Sequence, residues 1–119
     1  MTHPDILIVG AGVAGLSLAT ALGREGFCVT VIDGAKRPPP PPADRAIADW
    51  DLRVSALTPA SIDFLERLGA WSAIPGDRTG CYTGMKVWDG HGSGRIGFDA
   101  SEVNAPYLGY IVENRLTLQ

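Results

Sequence analysis

Cysteine, surplus charge and long apolar runs are all scarce in this chain of 119 residues, and each shortage argues against a class of function. The two cysteines, Cys28 and Cys81, stand far apart with no CxxC or histidine partner spacing. That argues against a disulfide framework or a zinc site, and for two reduced thiols. The formal net charge is −3, and a chain without a basic surplus has little with which to displace counterions from a nucleic-acid backbone. No apolar run approaches the ~20 residues that span a bilayer. The opening Met1-Thr2-His3-Pro4-Asp5 lacks the basic segment of a secretory signal, so the expected location is cytoplasmic. The length suffices for one small domain, and no internal repeat divides it.

Glycine is what the chain has in quantity, fifteen residues in all, and the first of them sit in an informative place. Asp5 to Val9 is a short continuous apolar run, the pattern of a parallel strand buried on both faces. Val13 to Arg24 are good helix formers, with Leu16, Ala19, Thr20 and Gly23 on one small-residue face and Gly23 or Gly26 as the stop. Phe27 to Ile32, rich in β-branched residues, predicts a second buried strand. Strand, helix and strand within about thirty residues predict a right-handed βαβ crossover.

Gly10-Ala11-Gly12-Val13-Ala14-Gly15 lies at the junction of the first strand and the helix and fits GxGxxG. In such a turn Gly10 permits the sharp exit from the strand, Gly12 lets the backbone approach a pyrophosphate, and Gly15 lets the helix pack closely on the strands. The helix start then offers unpaired N–H groups and partial positive charge to phosphates. The second strand ends in Asp33, eighteen residues beyond Gly15, where a carboxylate can accept from the hydroxyls of an adenosine ribose. Asp33 also disfavours a 2′-phosphate there, since two anions would be forced together. The motif alone leaves FAD and NAD equally open, because both present the same ADP ribose.

Beyond Asp33 the pattern changes. Pro38 to Pro42 predict an extended polyproline II connector. Thr58-Pro59 is a helix start, with Ile62, Leu65 and Leu68 (and Phe64) as its apolar stripe and Gly69 as its end. Tyr82 to Trp88 and Arg95 to Phe98 predict two strands about an Asp89-Gly90-His91-Gly92 turn, and Tyr107 to Val112 a further strand. Trp50, Trp71 and Trp88 read as packing residues, His3 as part of a frayed terminus and His91 as a turn residue. Asn114 is placed to cap a last helix that Arg115-Leu116-Thr117-Leu118-Gln119 only opens, so the sequence predicts a longer protein.

Several of these segments resemble the aromatic-ring hydroxylases of the class A flavoprotein monooxygenases, and more narrowly the ubiquinone-biosynthesis hydroxylases. They are Gly10 to Leu16; Asp51-Leu52-Arg53-Val54-Ser55-Ala56-Leu57 leading into Ser61 to Trp71; Met85-Lys86-Val87-Trp88-Asp89; and Leu108-Gly109-Tyr110-Ile111-Val112-Glu113-Asn114. The first is common to many flavoproteins, whereas the last three, in this order and spacing, are considerably more specific to the ubiquinone group. The resemblance implies an incomplete Rossmann-like α/β FAD-binding domain: a βαβ unit over 1–33, a Pro-rich linker over 34–50, and a helix plus β-hairpin section over 51–119. It implies FAD as cofactor, with Gly10, Ala11, Gly12, Val13, Ala14 and Gly15 at the pyrophosphate and Asp33 at the ribose. Arg53 stands where the family has a cofactor-contacting arginine, which suits a guanidinium fork. Asn114 stands where related hydroxylases carry a cofactor-facing arginine and the ubiquinone group carries asparagine, though an N-cap role would equally account for it. The family usually has Glu where this chain has Asp33. NAD(P)H and O2 as co-substrates and a polyprenylated phenol as substrate follow from the same resemblance, as does peripheral association with the inner membrane or a multi-enzyme assembly. No catalytic residue falls within these 119 positions on this reading. Two alternatives stay open: an NAD-dependent Rossmann dehydrogenase, and an inactive truncated FAD-binding fragment.

Overall fold

The computed structural model describes residues 3–37, 39 and 50–119. Strand β1 (Ile6–Val9), helix α1 (Val13–Arg24) and strand β2 (Val29–Ile32) form the expected crossover. The strands pair in parallel from Ile6↔Val29 to Val9↔Ile32, and the Gly10 N–H extends the ladder by donating to the Ile32 carbonyl at 2.7 Å. The half-buried side of α1 comprises Gly15 to Ser17, Ala19, Ala21 and Leu22, while Thr20 and Gly23 are exposed, so the close-packing face is rotated from the one expected. Ile8 is buried near the helix, whereas Leu7 and Val9, on the opposite face, are 57% and 79% exposed. The expectation of strands buried on both faces is therefore corrected: α1 covers one face of the pair.

The second strand is shorter than Phe27 to Ile32 because Cys28 forms its entrance, receiving Asp5 N–H at its carbonyl and donating its own N–H to Asp5 Oδ2 at 2.8 Å. The polyproline reading rests mainly on residues 38 and 40–42, outside the described ones.

From Val54 the chain builds an antiparallel sheet of three strands in the order β3 (Val54–Leu57), β7 (Gly109–Glu113), β4 (Thr79–Tyr82). Helix α2 (Pro59–Arg67) follows β3 with Thr58 as N-cap and buries Ile62 and Leu65. It ends where Gly69 takes φ +70°, a left-handed conformation suited to glycine. Arg24, at the end of α1, donates to the Arg67 carbonyl at 2.6 Å, placing a cation against the carbonyl end of α2 and joining the two parts of the chain.

Tyr82 to Trp88, expected as one strand, divides at Thr83: β4 joins the three-stranded sheet, while β5 (Gly84–Trp88) pairs with β6 (Arg95–Asp99) as a separate hairpin. The separation follows from partner choice, since Tyr82 pairs with Gly109 and Gly84 with Asp99. Trp71 packs edge-on against Tyr110, and Trp50 lies under the Arg78 guanidinium at 4.9 Å. Trp88 is 72% exposed and packs into no core.

The closing helix is also corrected. Residues after Glu113 form turns, with Leu116 N–H donating to the Glu113 carbonyl and Thr117 N–H to the Asn114 carbonyl. Asn114 caps no helix because its Oδ1 accepts from the Ser55 hydroxyl at 2.6 Å.

Candidate functional site

The three motif glycines stand in three different backbone settings. Gly10 has φ +109°, which a side chain would strain. A Cβ on Gly15 would collide with the Gly10 carbonyl oxygen and approach Ile8 Cγ2 to 3.5 Å, so this glycine lets α1 sit on its own turn. Gly12 has neither constraint. Its φ of −74° and ψ of 177° suit any residue, and a Cβ there would meet nothing within 4 Å. Protein packing gives no reason for glycine at this position, whereas an approaching ligand does.

Gly12 is the N-cap of α1, which has no side-chain cap and no acidic residue in its first turn. Its leading N–H groups, from Val13 to Gly15, precede the first bond of the helix ladder, Leu16 N–H to the Gly12 carbonyl. They are the donors that an anion at a helix start uses. Ala11 behaves differently: its N–H donates to Asp33 Oδ2 at 2.5 Å, while Asp33 Oδ1 accepts from Ala35 N–H at 2.6 Å. These two donations, Ala11 first, hold the exposed Asp33 carboxylate below its usual pKa of 3.8. The carboxylate closing β2 thus faces the glycine turn.

A cavity of about 520 Å³ opens between them, lined among others by Ala11, Gly12, Asp33, Lys36 and Arg37. Lys36 and Arg37 were not singled out in the sequence; following Asp33, they read as an ordinary polar loop. Arg37 Nη2 donates to the Gln119 carbonyl at 2.8 Å, and Leu118 also lines the cavity, so the turns after β7 return to the same place.

Arg53 and Asn114 come together across the top of the β3–β7 pair, where Asn114 N–H donates to the Arg53 carbonyl at 2.9 Å. Neither lines the glycine-turn cavity. Beneath them lies a charged cluster with no periodic signal in the sequence. Glu113 is 1% exposed and Arg78 4% exposed, and Arg78 Nε donates to Glu113 Oε1 at 2.6 Å. Arg78 Nη2 is 2.5 Å from the same oxygen as a charge pair, but lies off the hydrogen-bond direction and has no hydrogen-bond partner among the described residues. Glu113 Oε2 accepts from Asp51 N–H at 2.6 Å and from Arg115 Nε at 3.1 Å. Burial opposes ionisation of Glu113. The Asp51 N–H, the Arg78 guanidinium and the Arg115 charge outweigh it, leaving the pKa below its ordinary 4.5.

A profile of the NAD(P)-binding Rossmann-like domain matches residues 8–39, which include the glycine turn and Asp33. Over 97% of its length the chain is 40% identical to 3-demethoxyubiquinol 3-hydroxylase of Escherichia coli and 36% identical to ubiquinone hydroxylase UbiL of Rhodospirillum rubrum. The chain is a homologue of the ubiquinone hydroxylases. It is likewise 33% identical to the ubiquinone biosynthesis monooxygenase COQ6 of Xenopus tropicalis. It spans about a quarter of the length of these relatives: 28%, 25% and 25%. The fold is shared with a flavoprotein/dehydrogenase of Cytophaga hutchinsonii (TM-score 0.64, 22% identity, 97% of this chain and 26% of that one). It is also shared with PqsL of Pseudomonas aeruginosa, a probable FAD-dependent monooxygenase (TM-score 0.55, 27% identity, 98% of this chain and 28% of that one). These homologues and neighbours bear out the expected α/β Rossmann-like class and the family resemblance. Among the described residues no helix is long and apolar enough to cross a membrane.

Proposed function

We propose that this chain forms the ADP-gripping part of an FAD-dependent monooxygenase. The reaction is hydroxylation of an aromatic ring of a polyprenylated phenol in ubiquinone biosynthesis, with NAD(P)H and O2 as co-substrates. The observation that carries the cofactor is Gly12, a glycine whose missing side chain leaves open space beside unspent helix N–H groups. The residues around the glycine turn fit the ADP part. Gly12 to Gly15 offer backbone donors to the pyrophosphate, Asp33 offers carboxylate lone pairs to the ribose, and Arg53 and Asn114 offer donors further along. The Ser55 hydroxyl occupies Asn114 Oδ1, which leaves the Nδ2 donors for a ligand. FAD, when bound, supplies the redox and oxygen chemistry, while the protein supplies orientation and exclusion of water. Division into a βαβ unit over 1–33, a linker over 34–50 and a further section over 51–119 belongs to the same proposal, as does a cytoplasmic or peripheral inner-membrane location.

A dehydrogenase would use the same turn and the same Asp33. It would ordinarily continue with alternating helices and parallel strands, whereas the described chain turns after β2 to the antiparallel β3–β7–β4 sheet. The test is the visible spectrum of the protein purified with all of the coding sequence contiguous with it. Flavin bands near ~375 and ~450 nm are expected, since these belong to the cofactor itself. A colourless protein that binds NAD overturns the reading.

A further inference from the structure

Arg53 and Asn114 share an unusual position: Arg53 immediately precedes β3 and Asn114 immediately follows β7. Regular strand pairing runs from Val54↔Glu113 to Leu57↔Tyr110, so both residues stand just past the end of the ladder. A ring of hydrogen bonds takes over there. Glu113 Oε2 accepts from Asp51 N–H at 2.6 Å, and Asp51 Oδ1 accepts from Arg53 N–H at 3.0 Å. The Arg53 carbonyl accepts from Asn114 N–H at 2.9 Å, and the peptide bond from Asn114 back to Glu113 closes the ring. We propose that Glu113 is a positioning residue which, through Asp51, fixes Arg53 against Asn114 in the orientation that receives the cofactor. The proposal rests on the FAD reading of those two residues and adds a cause for their placement.

Stability alone accounts poorly for this arrangement. The cost of desolvating two buried charges offsets much of their attraction, and a well-packed apolar pair often serves a fold equally well. An apolar residue at 113 would give Asp51 N–H no acceptor and leave residues 51–53 without their tie to β7. The two arginines hold the carboxylate ionised and aimed, from Oε1 by Arg78 and from Oε2 by Arg115. Ligand-holding groups depend on such supporting hydrogen bonds for their geometry.

Asp51 is the best point of attack, because it is half-buried in a loop and outside the ion pairs. The experiment titrates FAD by quenching of flavin fluorescence, with melting temperatures recorded alongside, in the protein expressed with its contiguous coding sequence. Asp51→Ala is expected to raise the Kd for FAD roughly tenfold, the scale at which supporting partners act, with little change in melting temperature. Asp51→Asn keeps an Oδ1 that accepts from Arg53 N–H and is expected to restore the affinity. Glu113→Gln is expected to weaken binding at least as much as Asp51→Ala. Arg53→Ala is the reference variant. If it binds FAD poorly while Asp51→Ala and Glu113→Gln bind normally, the ring has no positioning role and the proposal fails, though the FAD reading stands. If Arg53→Ala itself binds as the unmodified protein does, the role of Arg53 fails and the proposal with it. Equal losses in Asp51→Ala and Asp51→Asn also overturn it, since the acceptor would then not be what matters.

Discussion

At the scale of single residues, the glycine turn holds one glycine that the fold needs, Gly15, and one that it does not, Gly12. Gly12→Val is expected to abolish FAD binding while costing the fold no more than an unfavourable N-cap, about 1 kcal/mol, because its side chain enters the open space proposed for the pyrophosphate. Gly15→Ala is expected to cost about 1–3 kcal/mol, as its Cβ meets the Gly10 carbonyl and α1 must shift. Urea denaturation of both variants, followed by FAD titration, distinguishes the two effects. Glu113 makes a pH prediction. Its folded pKa lies below the ordinary 4.5, so its stabilising contribution is fully present above that value. The contribution is lost as pH falls through the lowered native pKa. Unfolding free energy measured down this acid limb should decline less steeply in Glu113→Gln. At neutral pH that variant should be destabilised by about 3–5 kcal/mol, because it leaves Arg78 buried without its counter-charge.

At the scale of elements, local chemistry and periodicity carried much of the fold. Thr58→Ala should destabilise α2 by about 0.5–1 kcal/mol, the low end for an N-cap, since Ser61 N–H reaches Thr58 Oγ1 at a long 3.4 Å; thermal melts of the variant test this. The extent of α1, the β5–β6 hairpin and the start and stop of α2 were legible because glycine, proline and capping residues mark them. The division at Thr83 was not, because Tyr82 to Trp88 is one uninterrupted β-forming run and only long-range partners decide which sheet each half joins. The end of the chain misled for a related reason. Asn114 has the chemistry of a cap, but a serine 59 positions away in sequence claimed its carbonyl oxygen. The motif glycines and Asp33 were readable from spacing alone. Lys36, Arg37 and the Glu113–Arg78–Arg115 cluster were not, since charged residues scattered over distant segments leave no local pattern.

At the scale of the whole molecule, apolar surface remains uncovered. Leu7, Val9 and Ile32 on the β1–β2 pair are exposed, as are Met85, Val87, Ile96 and Phe98, which form the cross-strand pairs Met85↔Phe98 and Val87↔Ile96 on the hairpin. Contiguous apolar faces of this kind mark contact surfaces or aggregation liabilities. The 119 residues produced alone should therefore bind a hydrophobic dye and retain FAD weakly or not at all. Tight stoichiometric FAD binding by that polypeptide would refute this. The buried charges have one more consequence, for how β7 finds its place as the middle strand of its sheet. Sliding β7 by a single residue against β3 and β4 would bring Asn114 to the place beside Arg78 and turn the carboxylate to the opposite face. A neutral amide there cannot balance the buried Arg78 guanidinium, so the misaligned sheet is penalised electrostatically, and Glu113 acts as a proofreader of strand alignment.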